Sequence, residues 1–341
     1  MNTIPLHLLP DVAYILALRN MEIYDQLAYS LCTKNTKKAV KSLKLTAEEI
    51  NLYISDDIEF EFRFKNSIAF WGYMRHGNEF PNEEFRIPDM IEVTVYRRLD
   101  KETEWEWNFQ NIGVKDWLNH FYEVLHHPRI DDLCFDDNQI NNDFIKPVQK
   151  VIEGLQLVSF GLAEGLTPEF MKKALESFHN YEELYIDPVP FDSPEVYKID
   201  KFLVQNLSKL CIPGAERLHI DQVLLANCEK LKLHSSMVTD KDLKIFVKLW
   251  ICGSNPRLKY FFTRREDLPE QQNRPFDEEV FFKGIKRTKI PLDSQEVYIE
   301  QVNENYNEET QLAGGSRIRR HDGTTAVVLI RGHSFSLIVD V

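Results

Sequence analysis

The first forty-odd residues carry apolar side chains at helical spacing. Val12, Ile15, Leu16 and Leu18 recur every one to three positions, and the pattern resumes at positions 27, 31, 39 and 40 before a lysine-rich end. We therefore predict a helical module over residues 1–45. Because so short a module cannot bury much apolar surface by itself, it must pack on the rest of the chain or on a partner.

Residues 46–112 change to the two-residue period of β-strands. Apolar and polar residues alternate over 57–64, over 90–96 and again over 105–109. Glycine, asparagine and proline separate these runs, as they do between paired strands. The segment predicts a short antiparallel sheet with one solvated face.

From residue 113, helical and strand-like segments alternate. Short strands are expected at Leu133, Leu157, Leu184, Leu231 and Leu258, with another at 218–220. The first two steps are 24 and 27 residues and the last is 27. These steps fit the roughly 20–29-residue period of leucine-rich repeats, although the interval from 184 to 218 is irregular and no segment carries the full consensus with its asparagine. The pattern favours a degenerate leucine-rich-repeat-like α/β domain, and an ordinary α/β sheet with similar spacing is the alternative.

The last part of the chain returns to strands. Asp322-Gly323 lies between two apolar runs, which is a strong hairpin signal, and a second turn is expected at Gly332-His333. The polar segment 300–315 is expected to be a loop. The fold class predicted for the chain is α+β or α/β, with a helical module (1–45), a small antiparallel β module (46–112) and an α/β domain (113–341) that ends in a β-hairpin region.

The charge of the chain limits its partners. Acidic residues outnumber basic ones by 54 to 41, which gives a formal charge of −13 and repels phosphate backbones. We therefore expect no nucleic-acid partner. The five cysteines are widely spaced, which favours reduced thiols, and neither a signal peptide nor an apolar run long enough for a membrane span is found. The expected location is the cytoplasm, the nucleus or both, without a membrane partner.

No residue pattern points to catalysis or to a cofactor. His120, His126 and His127 lack a cysteine or a further ligand at metal-site spacing, so surface or core histidines are favoured over a metal site. The side chains of 320–322 alternate across a strand and a turn, which argues against a catalytic triad. We expect a protein that is not an enzyme and that needs no cofactor.

Two stretches resemble a known family more specifically than periodicity can. The first contains Leu9-Pro10, Leu18, Met21 and the run 30–34, and it looks like an F-box. The second begins at Asn227 and closely resembles the type-2 F-box-associated domain of the large nematode F-box family, with its core at 216–262. Its matching residues are 227–236, 239–243, Phe246, Trp250 and 253–258, and the hairpin 319–323 is similar to the C-terminal end of that family.

The resemblance implies a substrate-recognition adaptor of an SCF-type ubiquitin ligase. The F-box would dock on a Skp-family linker and through it on a cullin, while the associated domain would bind a target protein that the sequence does not identify. The docking residues implied are Leu6, Leu9, Pro10, Val12, Leu18, Leu27, Leu31 and Lys34.

Leu9, Pro10, Leu18 and Leu31 have an alternative role in the internal core of the helical module, and the lysines of 34–41 have one as a solvated helix end. The chain departs from the family pattern in three places. Ile23 stands where proline is usual, Gln26 where a large apolar residue is usual, and Ile15-Leu16 where acidic residues are common. Gln26 is expected to weaken the apolar docking face. The alternative function is therefore a protein-interaction scaffold whose weakened F-box is not coupled to degradation.

Overall fold

The structure is a computed structural model that describes residues 6–55, 58–65, 68–75, 90–96, 102–107, 114–136, 140–187, 200–214, 218–234, 238–265, 274–292, 297–303 and 308–340. The chain divides into two units, Met1–Tyr181 (unit 1) and Glu182–Val341 (unit 2). Both combine helices with strands, so the mixed α/β class is confirmed. The module limits at residues 45 and 112 stay a prediction.

Unit 1 begins with helices and continues with strands that alternate with further helices. The helical part has a 3-10 turn at Leu6–Leu8 and three helices: α1 (Asp11–Arg19), α2 (Ile23–Cys32) and α3 (Lys34–Lys41). The strands are β1 (Glu49–Ile54), β2 (Ile58–Phe64), β3 (Ile68–Arg75), β4 (Met90–Tyr96), β5 (Glu102–Trp107), β6 (Arg129–Phe135) and β7 (Gln156–Leu162). The later helices are α4 (Val114–Val124), α5 (Ile145–Ile152) and α6 (Pro168–Ser177), with a 3-10 turn at Asn142–Phe144.

The strands of unit 1 lie in the order β7-β6-β1-β2-β3-β4-β5. Strands β1 to β5 pair antiparallel, as the alternation predicted, whereas β1 pairs parallel with β6, and β6 with β7. The antiparallel strands predicted here therefore belong to a larger sheet that also contains parallel strands. An edge left open at β1 would expose a row of unpaired backbone groups, and β6 supplies their partners.

The polar side of β2 is only partly solvated. Glu61 is 2% exposed, although its place in the alternation predicted a wet position. Its carboxylate accepts hydrogen bonds from Asn51 Nδ2 at 2.9 Å and from Arg63 Nε at 2.7 Å, and Arg63 also pairs with Glu49 at 3.1 Å. A buried carboxylate is tolerated here because its oxygens have charged and neutral donors.

The core of unit 1 is aromatic. Phe121 on α4 lies 4.9 Å from Phe62 and 5.4 Å from Trp117, measured between ring centroids. All three side chains are at most 1% exposed. This cluster fixes α4 against β2, so that the other side of α4 is available to the N-terminal helices.

The N-terminal helices attach to α4 through polar contacts. His120 Nε2 lies 2.7 Å from the Ser30 hydroxyl, which itself donates to a carbonyl one turn earlier on α2. Lys37 and Lys41 on α3 lie 3.1 and 3.6 Å from the carboxylate of Glu123. The second and third N-terminal helices therefore fix this module to α4 within unit 1.

Unit 2 contains short helices between short strands, followed by a hairpin region. The helices are α7 (Asp200–Leu203), α8 (Ile220–Leu225), α9 (Asp240–Ile251) and α10 (Glu278–Phe282). The first strands are β8 (Glu183–Ile186), β9 (Lys209–Ile212), β10 (Lys230–Leu233), β11 (Tyr260–Arg264) and β12 (Thr288–Ile290). The last are β13 (Val297–Asn303), β14 (Glu308–Ala313), β15 (Gly315–Arg319), β16 (Thr325–Arg331) and β17 (Ser334–Val339).

The strands of unit 2 lie in the order β8-β9-β10-β11-β17-β16-β15-β12. Strands β8 to β11 are parallel, and the rest of the sheet is antiparallel. The hairpins predicted at Asp322-Gly323 and Gly332-His333 are confirmed. The loop predicted over 300–315 is wrong, since β13 and β14 form a two-stranded ribbon there. A two-stranded ribbon needs paired backbone groups but no apolar face, so a polar sequence can form one without the alternating pattern that predicts a strand.

The strand expected at 218–220 is also wrong. Ile220 begins α8, with His219 as its N-cap. The strand of this interval is β9, which begins at Lys209, eleven residues before Ile220. With β9 included, Leu184, Leu210 and Leu231 follow one another at steps of 26 and 21 residues, and all three are 1% exposed. The parallel strands are thus more regularly spaced than the sequence analysis assumed, while the leucine-rich-repeat-like interpretation itself stays a prediction.

The residues that carried the family resemblance hold α9 in place. The Thr239 hydroxyl accepts from the amide of Asp242 at 3.2 Å and the Asp242 carboxylate accepts from the amide of Thr239 at 2.9 Å, which closes a capping box. At the other end, Gly253 continues the chain with a φ of +113°, and the guanidinium of Arg320 donates to the Gly253 carbonyl. The hairpin 319–323 therefore meets the C-terminal end of α9.

Acidification is predicted to destabilise unit 1 through His120. Burial, helped by the charge of Lys37, lowers the pKa of His120 to about 4 from its ordinary value of 6.5. The unfolded chain then binds more protons than the folded chain between pH 6.5 and 4, so stability is complete above pH 6.5 and falls as the pH drops through this window. After allowance for the partial exposure of the ring, the loss is about 1–2 kcal/mol. The measurement is the free energy of unfolding in urea against pH, for the wild type and for His120→Gln.

The exposed His179 provides the matched control, as His179→Gln. The His120 variant should lose part of the pH dependence, and the His179 variant should keep it. Equal slopes for the wild type and His120→Gln would contradict the assignment.

Replacement of Arg320 with alanine is predicted to cost about 2–4 kcal/mol of folding free energy, because the carbonyl of Gly253 loses a charged donor and Trp250 loses a neighbour. Arg320 is 6% exposed, and its guanidinium carbon lies 5.4 Å from the centroid of the Trp250 ring. Arg319 is exposed on the same hairpin, so Arg319→Ala is the control, with an expected change below about 0.5 kcal/mol. Thermal and urea unfolding of both variants would check the difference, and similar losses would speak against the capping role.

Candidate protein-docking surface

The N-terminal helices pack on one another through a small set of contacts. Leu18, Leu27 and Val40, one from each helix, are fully buried and form the centre of the module. The Tyr14 hydroxyl donates to that of Tyr29 at 3.2 Å, and burial raises the pKa of Tyr14 to about 12. The module thus has a core of its own, built from few side chains.

Gln26 belongs to this core. Its side-chain nitrogen donates to the carbonyls of Leu18 at 2.9 Å and Met21 at 2.8 Å, and the residue is 6% exposed. These bonds add to the backbone pairing at the end of α1, where the Leu18 carbonyl also accepts from the amide of Met21 at 3.1 Å. Gln26 therefore lies in the core and not on an exposed apolar face, and its effect on linker docking stays a prediction. Ile23, another departure from the family pattern, is half-buried.

The docking residues predicted from the sequence fall into three classes of exposure. Leu18 and Leu27 lie in the core, which for Leu18 is the alternative role that the sequence left open. Half-buried positions are Leu6, Leu9 and Leu31, and exposed positions are Pro10, Val12 and Lys34. The six surface positions keep their docking role as a prediction.

The N-terminal helices carry an exposed apolar strip that the sequence analysis identified only in part. Leu8, Val12 and Leu16 are 67%, 75% and 52% exposed. They follow one another at steps of four residues, so Val12 and Leu16 share one face of α1 and Leu8 precedes them in the 3-10 turn. We call these three residues the α1 strip. The four-residue spacing is present in the sequence, but Leu18, which is also apolar, lies on the buried side of the same helix, so spacing alone does not tell the two sides apart.

The lysines beside this module have different surroundings. Lys37 and Lys41 pair with Glu123, whose pKa the Lys37 ammonium holds below its ordinary value. Lys34 is exposed at the start of α3. The lysines at 37 and 41 therefore fix α3 to α4, and Lys34 is the one of these three that is placed to meet a partner.

The histidines considered for metal binding make other contacts. His127 Nε2 lies 2.5 Å from Asp131 Oδ2, which also accepts from the backbone amide of Ile50, and His126 bonds to the carbonyl of Lys41 at 3.1 Å. Across the described ranges, no three His, Cys, Asp or Glu side chains lie close enough together to hold a metal ion. Among the helices that the structure describes, none combines the length and apolar character needed to cross a membrane.

Comparisons with known proteins find similarity to one family and to one nematode protein. The profile of the F-box associated family matches residues 198–262, from just before α7 to the middle of β11. The F-box associated domain-containing protein sdz-33 of Caenorhabditis elegans is 25% identical over 295 residues, which cover 82% of this chain and 84% of that protein. No solved structure matches the chain.

The profile match contains the stretch 216–262 on which the sequence resemblance was based. The relative extends the similarity well beyond that stretch, over most of both chains. The resemblance is thereby confirmed: residues 198–262 match the F-box associated family, and most of the chain is similar to a nematode protein that contains an F-box associated domain.

Proposed function

We propose that this protein is a substrate-recognition adaptor of an SCF-type ubiquitin ligase. In this role the N-terminal helices are an F-box that docks on a Skp-family linker, and the linker connects the chain to a cullin. The F-box-associated domain binds the protein to be ubiquitylated. The α1 strip is the observation that carries the proposal.

The strip has the properties of a surface that a second polypeptide covers. A small module with few core side chains leaves Leu8, Val12 and Leu16 more than half exposed, while its other helices are fixed to α4. Burial of exposed apolar area contributes roughly 25 cal/mol per Å², so a complementary groove on the linker would stabilise the complex. Hydrogen bonds of Tyr29 and Gln26 tie α1 to α2, and α2 is joined to α4, so little ordering cost opposes binding.

The proposed adaptor has no chemistry of its own. Its effect on rate comes from proximity, since it holds a lysine of the target near ubiquitin that the ligase has activated. The reduced cysteines fit a cytoplasmic or nuclear location. Cys134, Cys211 and Cys228 are half-buried or buried, and burial raises the pKa of the thiols of Cys134 and Cys228, which disfavours the reactive thiolate.

Replacement of Val12 and Leu16 together with aspartate is predicted to weaken binding to a purified Skp-family linker by at least about tenfold, because two apolar contacts are lost and two carboxylates would be desolvated. Calorimetric titration of the full chain with the linker measures this change. Both side chains are exposed, so the fold should persist, which circular dichroism checks.

Leu292 offers a matched control. It lies in unit 2 and is 80% exposed, so Leu292→Asp introduces the same kind of charge away from the strip and should bind the linker like the wild type. Absence of binding by the wild type, or equal binding by the Val12/Leu16 variant, would rule out docking through the α1 strip.

A protein-interaction scaffold is the alternative function for the same surface. It shares linker docking with the adaptor but does not direct degradation. The two differ in one measurement: removal of the protein lengthens the half-life of a bound target if it is an adaptor, and leaves that half-life unchanged if it is a scaffold. Since Gln26 lies in the core, its polarity no longer favours the scaffold.

A further inference from the structure

A second group of exposed apolar side chains lies in unit 2. Nine large apolar side chains are exposed in the described part of the chain, and three of them form the α1 strip. Four others, Val204, Leu225, Ile245 and Leu249, lie on or directly after the consecutive helices α7, α8 and α9, and are between 37% and 51% exposed. Such a concentration on one helical layer marks an interaction surface.

The helix ends that carry these side chains are tied together by asparagines. Asn227 donates to the Asn206 side chain at 2.7 Å, which links the segments after α7 and α8. Asn255 donates to the carbonyl of Ala226 at 2.7 Å, which links the segments after α8 and α9. The three helices precede parallel strands, and Val204, Leu225 and Leu249 all lie at or near their C-terminal ends. The exposed apolar groups therefore belong to one continuous layer.

The outer side of α9 is basic although the chain is acidic. Lys241 and Lys248 are exposed on α9 and Lys244 is half-exposed, all on the outer side with Ile245 and Leu249. The two acids of α9 are engaged elsewhere: Asp240 is buried 3.6 Å from Arg265, and Asp242 caps the helix.

On the other two helices the charges are mixed, since Lys201 is exposed and Asp200 half-exposed on α7 and Asp221 is exposed on α8. The excess of ammonium groups is therefore confined to α9. A local excess of ammonium groups on a chain of net charge −13 is a segregated charge pattern, which favours partners of opposite sign.

We propose that this α7–α9 face, formed by Val204, Leu225, Lys244, Ile245, Lys248 and Leu249, binds an acidic peptide segment that carries apolar anchors. The anchors contact the four apolar side chains, and the carboxylates pair with the lysines on either side of them. That the segment belongs to the protein recruited for ubiquitylation rests on the function proposed above. The binding chemistry itself follows from the face alone.

A protein segment fits this face better than an anionic membrane does. The apolar side chains are each only about half exposed and are spread over three short helices, so they offer shallow contacts rather than groups that insert into lipid. The remaining charge of the chain is negative and opposes approach to an anionic surface.

Fluorescence anisotropy with the full chain tests the proposal. The probe is a labelled synthetic helical peptide with leucines four residues apart flanked by glutamates, and the comparison peptide has lysine in place of every glutamate. The acidic peptide should bind at least about tenfold more tightly than its basic counterpart, and added sodium chloride should weaken its binding.

Two variants assign the binding to the face. Lys244→Glu with Lys248→Glu, and Ile245→Ser with Leu249→Ser, should each weaken binding of the acidic peptide about tenfold, since one removes charge complementarity and the other removes apolar contact. Lys172→Glu with Lys173→Glu makes the same charge change on the exposed side of α6 and should leave binding unchanged.

Three results would overturn the proposal: equal binding of both peptides, equal loss in the α6 control, or binding to phosphatidylserine vesicles without binding to the acidic peptide. The linker titration separates this proposal from the function proposed above. The α9 variants should bind the Skp-family linker like the wild type. A chain that binds the peptide but not the linker would reject the adaptor role alone, and the reverse would reject only the α7–α9 face.

Discussion

The helices of unit 2 depend on donors that satisfy the carbonyl groups at their C-terminal ends. These carbonyls have no partner inside their own helix, and where they are buried, each one left without a donor destabilises the fold. Asn255 serves the end of α8, and Arg320, which arrives from a hairpin distant in sequence, serves the end of α9. These hydrogen bonds fix the turns after α8 and α9, and the turns position the parallel strands that follow, β10 and β11.

This constraint explains which residues carry the family resemblance. Thr239, Gly253, Asn255 and Arg320 begin, end or brace helices, and Trp250 is fully buried beneath Arg320. They therefore specify the scaffold rather than a ligand. In the proposed function, a target protein is therefore recognised by side chains that the scaffold leaves exposed.

The sequence predicted the element types well where periodicity was strong and failed where a short element had a polar or weakly apolar pattern. The amphipathic helix α9 and the hairpin at Asp322-Gly323 are confirmed, whereas β9 was missed and a strand was wrongly placed at 218–220. A repeated signal for β9 was present: an asparagine precedes a strand leucine by four residues at 180, 206 and 227. The Asn227 side chain donates a hydrogen bond to the Asn206 side chain, which explains the spacing. The pattern of one strand taken alone does not reveal such a bond between neighbouring segments.

The docking surface shows a similar limit. The sequence correctly placed apolar residues on the N-terminal helices, but it could not tell the core face from the outer face, because a small module uses the same residue types for both. Gln26 is the clearest case, since a polar residue was assigned to the surface and the structure buries it against two carbonyls. The structure is needed to show that Leu18 and Leu27 are buried while Leu8 and Leu16 remain exposed.

The α1 strip and the α7–α9 face differ in chemistry, so they suit different kinds of partner. The α1 strip consists of apolar side chains alone, whose contribution is nearly independent of salt and suits a constant partner held by shape. The α7–α9 face adds lysines to its apolar residues, so its affinity depends on the charge of the partner and can distinguish one segment from another. The proposed adaptor needs one constant contact and one selective contact, and the two proposed surfaces supply different interactions for them.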